Sequence, residues 1–344
     1  MIRALLLTGF LFSMLFSVNR NGTTTANFLE VDIGSTGTAM GGAYVSVVDD
    51  VSSVFWNPAG LASMKGSEFM FIYQPWILDI SHVFVGGAVN IPTVGTLAAS
   101  MTYMNYGDEE VTTVAAPEGT GELYAASDYA MGISFGRKIV NWFSFGASAK
   151  IITSNIWHTK ASAAAVDLGV IINTNFLVPD ENREKGLAIG MSISNYGSRM
   201  RFDGMDLLNP IDISEDNGNF ENVPGIFKTE YWELPLIFRI GTSFYPIASD
   251  NQNLIIALDA LHPNNNSESI NVGAEWEFIQ PGVANFYLRA GYKGKYMINS
   301  EYGPTFGGGI KFRLPGNQNL KVDYCYKTVG RLGDVHLYTI GFQF

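Results

Sequence analysis

The chain has 344 residues, 47% hydrophobic and only 15% charged, where a soluble domain carries roughly 25% charge; 32 acids against 21 bases leave a net charge of −11. That acidity excludes a nucleic-acid partner, because no basic stripe exists to displace counterions from phosphates, and one cysteine, Cys325, excludes an internal disulfide and a cysteine-rich zinc site. Low charge, 37 glycines, 23 Phe and 16 Tyr fit a molecule whose outside faces something other than water.

Met1-Ile2-Arg3 is a short positive start, and Ala4 to Val18 is an almost unbroken apolar run. That run is shorter than the ~20 residues of a bilayer span and predicts a signal peptide over 1–18. No clean small-x-small triplet follows, so cleavage is placed between Val18 and about residue 26; a retained anchor is the alternative. There is no lipobox cysteine. Beyond Val18 no apolar stretch reaches the length of a membrane helix, which leaves a secreted β protein or a membrane β-barrel.

Residues 27–65 differ in character. Gly34, Gly37, Gly41 and Gly42 punctuate a run of small residues, followed by the apolar Val45 to Val48. Asp49 and Asp50 are placed to cap a short helix through Val51-Ser52-Ser53-Val54-Phe55. Asn57-Pro58-Ala59-Gly60 ends it, since Asn before Pro is pushed out of helical geometry and Gly60 tolerates positive φ. The segment has no place in a wall and is expected to pack in the lumen as a plug.

From residue 66 onward the period is two. Tyr129, Met131, Ile133 and Phe135 alternate with Ala130, Gly132, Ser134 and Gly136; Val272, Ala274, Trp276 and Phe278 alternate with Asn271, Gly273, Glu275 and Glu277. Apolar residues opposite small or polar ones over about ten positions mark strands with one lipid face and one lumen face. The same pattern predicts strands near 67–74, 80–91, 94–106, 123–137, 142–157, 161–174, 186–198, 233–245, 253–262, 268–279, 284–296, 304–314, 319–328 and 334–344. Fourteen is even, as a single-chain bacterial barrel requires. Alternate connections are short (Ile91–Val94, Lys138–Asn141, Gln280–Val283, Pro315–Asn319), with Asn175–Lys185 longer, while the opposite set holds Gly107–Glu122 and Arg199–Trp232. A soluble sandwich would instead carry charge on its solvent face and shorter strands. The last strand sets His336, Tyr338, Ile340, Phe342 and Phe344 on one face and ends on an aromatic residue. It resembles the signal read by the outer-membrane barrel assembly machinery, and its amphipathic edge needs a pairing partner.

The stretch GSTGTAMGGAYVSVVDDVSSVFWNPAGLASM, Gly34 to Met64, resembles the N-terminal signature of the PorV/PorQ family within the fatty-acid-transporter-like (FadL-type) outer-membrane proteins. The resemblance rests on Met40-Gly41-Gly42-Ala43, the Asp49-Asp50 pair and Trp56-Asn57-Pro58-Ala59-Gly60-Leu61. It implies a fourteen-stranded barrel with an N-terminal hatch. It also implies a role in protein secretion or surface attachment of the type IX kind, with cargo held by extracellular loops. The alternative role is passive transport of long-chain fatty acids or hydrocarbons through a plugged lumen.

The plug glycines lack the spacing and strand-helix context of a dinucleotide fingerprint. His82, His158, His262 and His336 lie on separate strands with no metal spacing and read as interfacial residues near strand ends. No nucleophile motif occurs, so no catalytic residue, cofactor or metal is assigned. Arg239, Arg289, Lys293, Lys311, Arg313, Lys321 and Lys327 fall on the inward phase of the closing strands with Glu275, Glu277 and Asp323 among them. A charge on the lipid face costs ~2–4 kcal/mol at the midplane, so the inward phase is the stable one. There the charges either bind an anionic head group, such as a carboxylate or pyrophosphate, or form a network with plug carboxylates, Asp49 and Asp50 being the candidates; the second is favoured. The two long loops are acidic: Asp108, Glu109 and Glu110 in one, and Asp203, Asp206, Asp212, Glu215, Asp216, Glu221 and Glu230 in the other. The second is long enough to be a lid or docking surface, with Phe220, Ile226, Phe227, Tyr231 and Trp232 as apolar anchors. The expectation is therefore an all-β transmembrane barrel, 66–344, around a plug, 27–65, in the outer membrane with both termini periplasmic. Its expected partners are lipid, the assembly machinery, and secreted cargo or a surface-attachment complex, or else a hydrophobic small molecule.

Overall fold

The computed structural model describes residues 20–178, 185–212 and 223–344. The expected signal peptide and Phe220, Glu215, Asp216 and Glu221 lie outside the described residues. Fourteen antiparallel strands close on themselves: β1 (Glu68–Pro75), β2 (Ser81–Ile91), β3 (Gly95–Glu110), β4 (Leu123–Val140), β5 (Phe143–Ile156), β6 (Thr159–Asn173), β7 (Ala188–Gly197), β8 (Ile237–Ala248), β9 (Gln252–Pro263), β10 (Ser269–Gln280), β11 (Ala284–Lys295), β12 (Pro304–Leu314), β13 (Gln318–Thr328) and β14 (Asp334–Gln343). Each pairs with its neighbours in sequence, and β14 pairs with β1 from Glu68↔Gln343 to Tyr73↔Tyr338. Ser67 and Phe344 exchange backbone hydrogen bonds of 3.0 and 2.9 Å just beyond that ladder. Closure removes the free edge that the amphipathic last strand would otherwise expose.

Alternation sorts the side chains. In β1, Phe69, Phe71 and Tyr73 are exposed on the outer wall, while Met70 and Ile72 are buried against plug residues Ile33, Val51 and Val54. The hydrophobic core of this molecule is therefore the space inside the wall. No helix among the described residues is long and apolar enough to cross a membrane.

Connections at one end are short (92–94, 141–142, 249–251, 281–283, 315–317) except for 174–187; the other end carries 111–122 and 198–236. The expected loop from Gly107 is shorter than its sequence implies. After a bulge between Asn105 and Asp108, β3 and β4 pair again as Asp108↔Ala125, Glu109↔Tyr124 and Glu110↔Leu123. The three acids thus belong to a hairpin that outruns the ~9–11 residues needed to span a bilayer. The long connection 198–236 is also not structureless: Asp203–Gly204 extends the sheet beside β6, and Leu208–Ile211 pairs with Val223–Ile226 as a two-stranded ribbon.

The chain from Arg20 enters the lumen at the long-loop end. Thr25 donates its backbone N–H to the Glu233 carbonyl (3.0 Å), and Asn265 Nδ2 donates to Thr24 Oγ1 (2.8 Å). It then descends to Ser67 at the opposite end, beside Phe344. Among the described residues, Arg20 and Phe344 sit at opposite ends, because the plug threads the full height of the barrel.

Candidate functional site

The plug is built around Trp56. Its indole Nε1 donates to the Ile33 carbonyl (2.8 Å), and the rings of Phe55 (4.9 Å) and Tyr44 (6.0 Å) meet it edge-on. Short helices α1 (Ser35–Ala39) and α2 (Ser53–Trp56) flank this core. The expected helix begins two residues later than read. Asp50 acts through the preceding turn, its Oδ1 accepting from Ser52 N (3.0 Å) and Ser52 Oγ (2.5 Å), and no such bond is shown for Asp49. Asn57 leaves the helix in extended geometry and uses its whole side chain. Nδ2 donates to the Val45 (2.8 Å) and Val170 (3.1 Å) carbonyls, and Oδ1 accepts from Ala59 N (3.1 Å) to start the 3-10 turn Pro58–Ser63. Gly60 does not adopt the expected left-handed conformation. What it supplies is space, since a Cβ there would lie 2.5 Å from the Val48 carbonyl oxygen.

The Asn57-Pro58 turn sits on a glycine shelf. Gly136, Gly146 and Gly169 come from three adjacent strands and are direct register partners, Gly136↔Gly146 and Gly146↔Gly169. A Cβ on Gly136 would reach within 2.6 Å of Leu61 Cβ, and one on Gly146 or Gly169 would strike Pro58 or Asn57 itself. Across the lumen, Gly273 and Gly291, also register partners, leave room for the Met40-Gly41 backbone. Inward glycine therefore admits the plug backbone to the wall's own backbone, and no larger residue does.

Polar wall groups then pin it. Asp259 Oδ2 accepts from the backbone N–H of Tyr44 (2.8 Å) and Val45 (2.9 Å); Thr305 Oγ1 donates to the Ala39 carbonyl (2.8 Å); Ser192 Oγ donates to the Trp56 carbonyl (3.0 Å).

The structure gathers most of the inward charges. Arg289 joins Glu275 (2.5 Å) and Asp323 (2.6 Å), Lys321 joins Asp323 (3.5 Å), and Lys321 also reaches Asp50 of the plug (3.1 Å). A second plug carboxylate, Asp32, is held by Lys293 (2.6 Å) and Lys327 (3.4 Å). Each of those lysines lies against a ring from the long-loop end: Tyr302 over Lys293 and Trp76 over Lys327, both at 4.5 Å. Burial drives the Asp32 carboxyl upward, but the two ammonium groups outweigh this and hold it at about 2. Asp49 makes no ion pair among the described residues. It is enclosed by the barrel, and that enclosure together with Asp50 pushes its carboxyl up to about 6 against the pull of Lys321 and Lys311, although its side chain keeps contact with solvent.

Four residues stand apart, among them Lys311, which is half-buried on the wall and joins no ion pair among the described residues. Glu277 accepts from Asn253 and Asn285 (both 2.7 Å) and from Tyr287 (3.0 Å) rather than from a cation; Arg239 lies 5.4 Å from the Phe55 ring and donates to Ser194 Oγ (2.9 Å); Arg313 is exposed at the short-turn rim. His82 departs from the interfacial expectation: it is buried inside, 3.3 Å from Gln74, because its strand position falls on the inward phase. His158, His262 and His336 are surface residues beside Asp206, Glu268 and Tyr324.

Sequence reasoning missed Asp32, flanked by Val31 and Ile33, and the wall group Lys150–Asp167 (2.9 Å) with Asn195 (2.5 Å). Lys150 lines a cavity between Phe28, Leu29 and Phe55 of the plug and Ser134 and Ser148 of the wall. It offers about 40 Å³ to water centres, room for about three waters at ~10–15 Å³ each. Among the described residues no His, Cys, Asp or Glu cluster is arranged to hold a metal. At the long-loop end Phe227, Tyr231 and Trp232 are exposed, with Arg201 stacked 5.1 Å from the Tyr231 ring. Tyr338, Ile340 and Phe344 are exposed on the outer wall with Phe342 half-buried.

The fold of the chain resembles that of solved hydrocarbon channels. The toluene transporter TbuX of Ralstonia pickettii superposes with a TM-score of 0.55 at 11% identity, covering 90% of this chain and 97% of that one. The toluene transporter TodX of Pseudomonas putida gives 0.52 at 9%, covering 96% and 98%. The monoaromatic hydrocarbon channel CymD gives 0.53 at 12%, covering 91% and 96%. At such identities the likeness is one of fold. No curated protein matches the chain. Residues 17–218 match the family model described as type IX secretion system protein PorV. That match spans more than half of the chain, including the plug and its glycine shelf, and the chain belongs to the PorV family.

Proposed function

We propose that this barrel works as a docking protein of type IX-like secretion or surface attachment, holding cargo or partner proteins at its long-loop end and performing no chemistry of its own. The observation that supports this most is the filled lumen. The plug is pinned by two carboxylate–lysine clusters and seated on glycines, and the cavity beside it is far below the ~300–1,000 Å³ of a ligand pocket. A barrel with its bore occupied has its loops left to act with, and the long loop presents Phe227, Tyr231 and Trp232, aromatic residues of the kind that anchor interfaces. Pull-down of the intact barrel from its own host should recover secreted proteins sharing a C-terminal β domain; recovery of none in a host that makes such cargo sinks the reading.

The likeness to toluene transporters supports a second reading, passive uptake of a hydrophobic molecule with the plug moving aside. Reconstituted protein would then speed the entry of an aromatic hydrocarbon or long-chain fatty acid into liposomes, and an unchanged rate counts against it.

A further inference from the structure

The long connection 198–236 carries an apolar face that none of the described residues covers. In the ribbon, Leu208 faces Ile226 and Pro210 faces Pro224, so these four side chains share one face, and all four are exposed. Met205, one turn earlier, is exposed too. A two-stranded ribbon is marginal in water on its own, and an exposed face of this composition calls for a cover.

Its position identifies the cover. Asp203–Gly204 pairs with Thr159–Lys160, prolonging the wall beside β6 above the end of β7. Met205, Leu208 and Ile226 then border an open groove whose other side is Lys160 and Ser162. Along β6 Thr159, Ala161, Ala163 and Ala165 are buried, whereas Lys160, Ser162, Ala164, Val166 and Leu168 are exposed. The groove therefore opens on the outer face of the barrel, directly above the lipid-facing Val166 and Leu168. Tyr196 on β7, exposed and paired with Val166, places an interfacial aromatic residue just below the groove. The two prolines limit edge-to-edge pairing with another chain, which disfavours a strand-adding protein partner for this face.

We infer that the Leu208–Ile226/Pro210–Pro224 face rests on the membrane surface, and that lipid is the partner that orders the ribbon against the wall. The anchoring leaves Phe227, Tyr231 and Trp232 free, so it stands independently of what those residues bind.

The full-length protein in phospholipid vesicles tests this. Cys325 is buried and free, so single cysteines at Ile226→Cys or Leu208→Cys can be labelled with an environment-sensitive fluorophore, with Asn209→Cys on the opposite ribbon face as control. Contact quenching works over a side-chain length, within the ~5–10 Å depth of an interfacial apolar face. Vesicles of acyl-brominated phosphatidylcholine should lower the signal at 226 and 208 roughly twofold relative to unbrominated lipid, and leave 209 nearly unchanged. Quenching of 226 and 208 by aqueous iodide with no response to brominated lipid overturns the inference, as does equal lipid quenching at all three positions. Two independent anchor positions, both exposed, keep the result readable if one variant fails to assemble.

Discussion

Asp32 and Asp49 are both plug carboxylates, and their surroundings drive them in opposite directions. Asp32 titrates at about 2, below its ordinary 3.8, so its charged form stabilises the fold. That contribution is present above about pH 4 and is lost as pH falls toward 2. A shift of this size corresponds to ~2 kcal/mol. Asp32→Asn should therefore cost ~2 kcal/mol in urea unfolding at neutral pH and very little at pH 2. Asp49, raised to about 6, gives the reverse sign: the folded state favours its protonated form, and the penalty grows as pH rises from about 4 through 6. Asp49→Asn should raise the urea midpoint at pH 8 and leave it unchanged at pH 4. The shelf makes a steric prediction. Gly146→Ala puts a methyl group into the Pro58 backbone and should cost ~1–3 kcal/mol. Gly87→Ala, whose Cβ would meet nothing nearer than 3.9 Å, should stay within ~0.5 kcal/mol. Urea titration of the reconstituted barrels compares the two.

At the scale of elements, strands were legible where lipid and lumen impose opposite chemistry on successive residues, as in Tyr129 to Gly136. The fourteen strands lie within a few residues of the expected ones because that contrast persists along nearly the whole wall. Their ends were less legible: Asp108, Glu109 and Glu110 read as loop because charge is ordinarily a loop signal, yet β3 and β4 pair beyond the lipid, where charge costs nothing. The glycine shelf was invisible as a unit. Gly136, Gly146 and Gly169 are unremarkable within their strands and become a platform only once register aligns them. Asp32 was not legible because the short alternation Glu30-Val31-Asp32-Ile33 does not show which wall lysines the fold brings to it. The ribbon belongs to this scale as well. Replacing 203–230 by a short Gly-Ser turn should leave a folded, heat-modifiable barrel and abolish capture of partner proteins; loss of barrel assembly would show instead that the loop is structural.

For the whole molecule, the governing fact is that a single chain threads its own barrel from the long-loop end to the short-turn end and closes there beside Phe344. Nothing in composition or periodicity shows that direction, which depends on contacts such as Thr24–Asn265. With the long loops external, Thr23→Cys should react in intact cells with a membrane-impermeant maleimide, without permeabilisation. Reaction only after the membrane is breached would place that end elsewhere. Deleting 27–63 should raise the conductance of the barrel in planar bilayers above that of the intact chain. The central claim, that a sealed barrel acts through its loops, is tested most directly by a photoreactive amino acid at Phe227 in living cells of the native host. The account predicts crosslinks to secreted proteins sharing a C-terminal β domain or to other surface-attachment proteins. A barrel at normal abundance whose Phe227 probe crosslinks to no protein would contradict it.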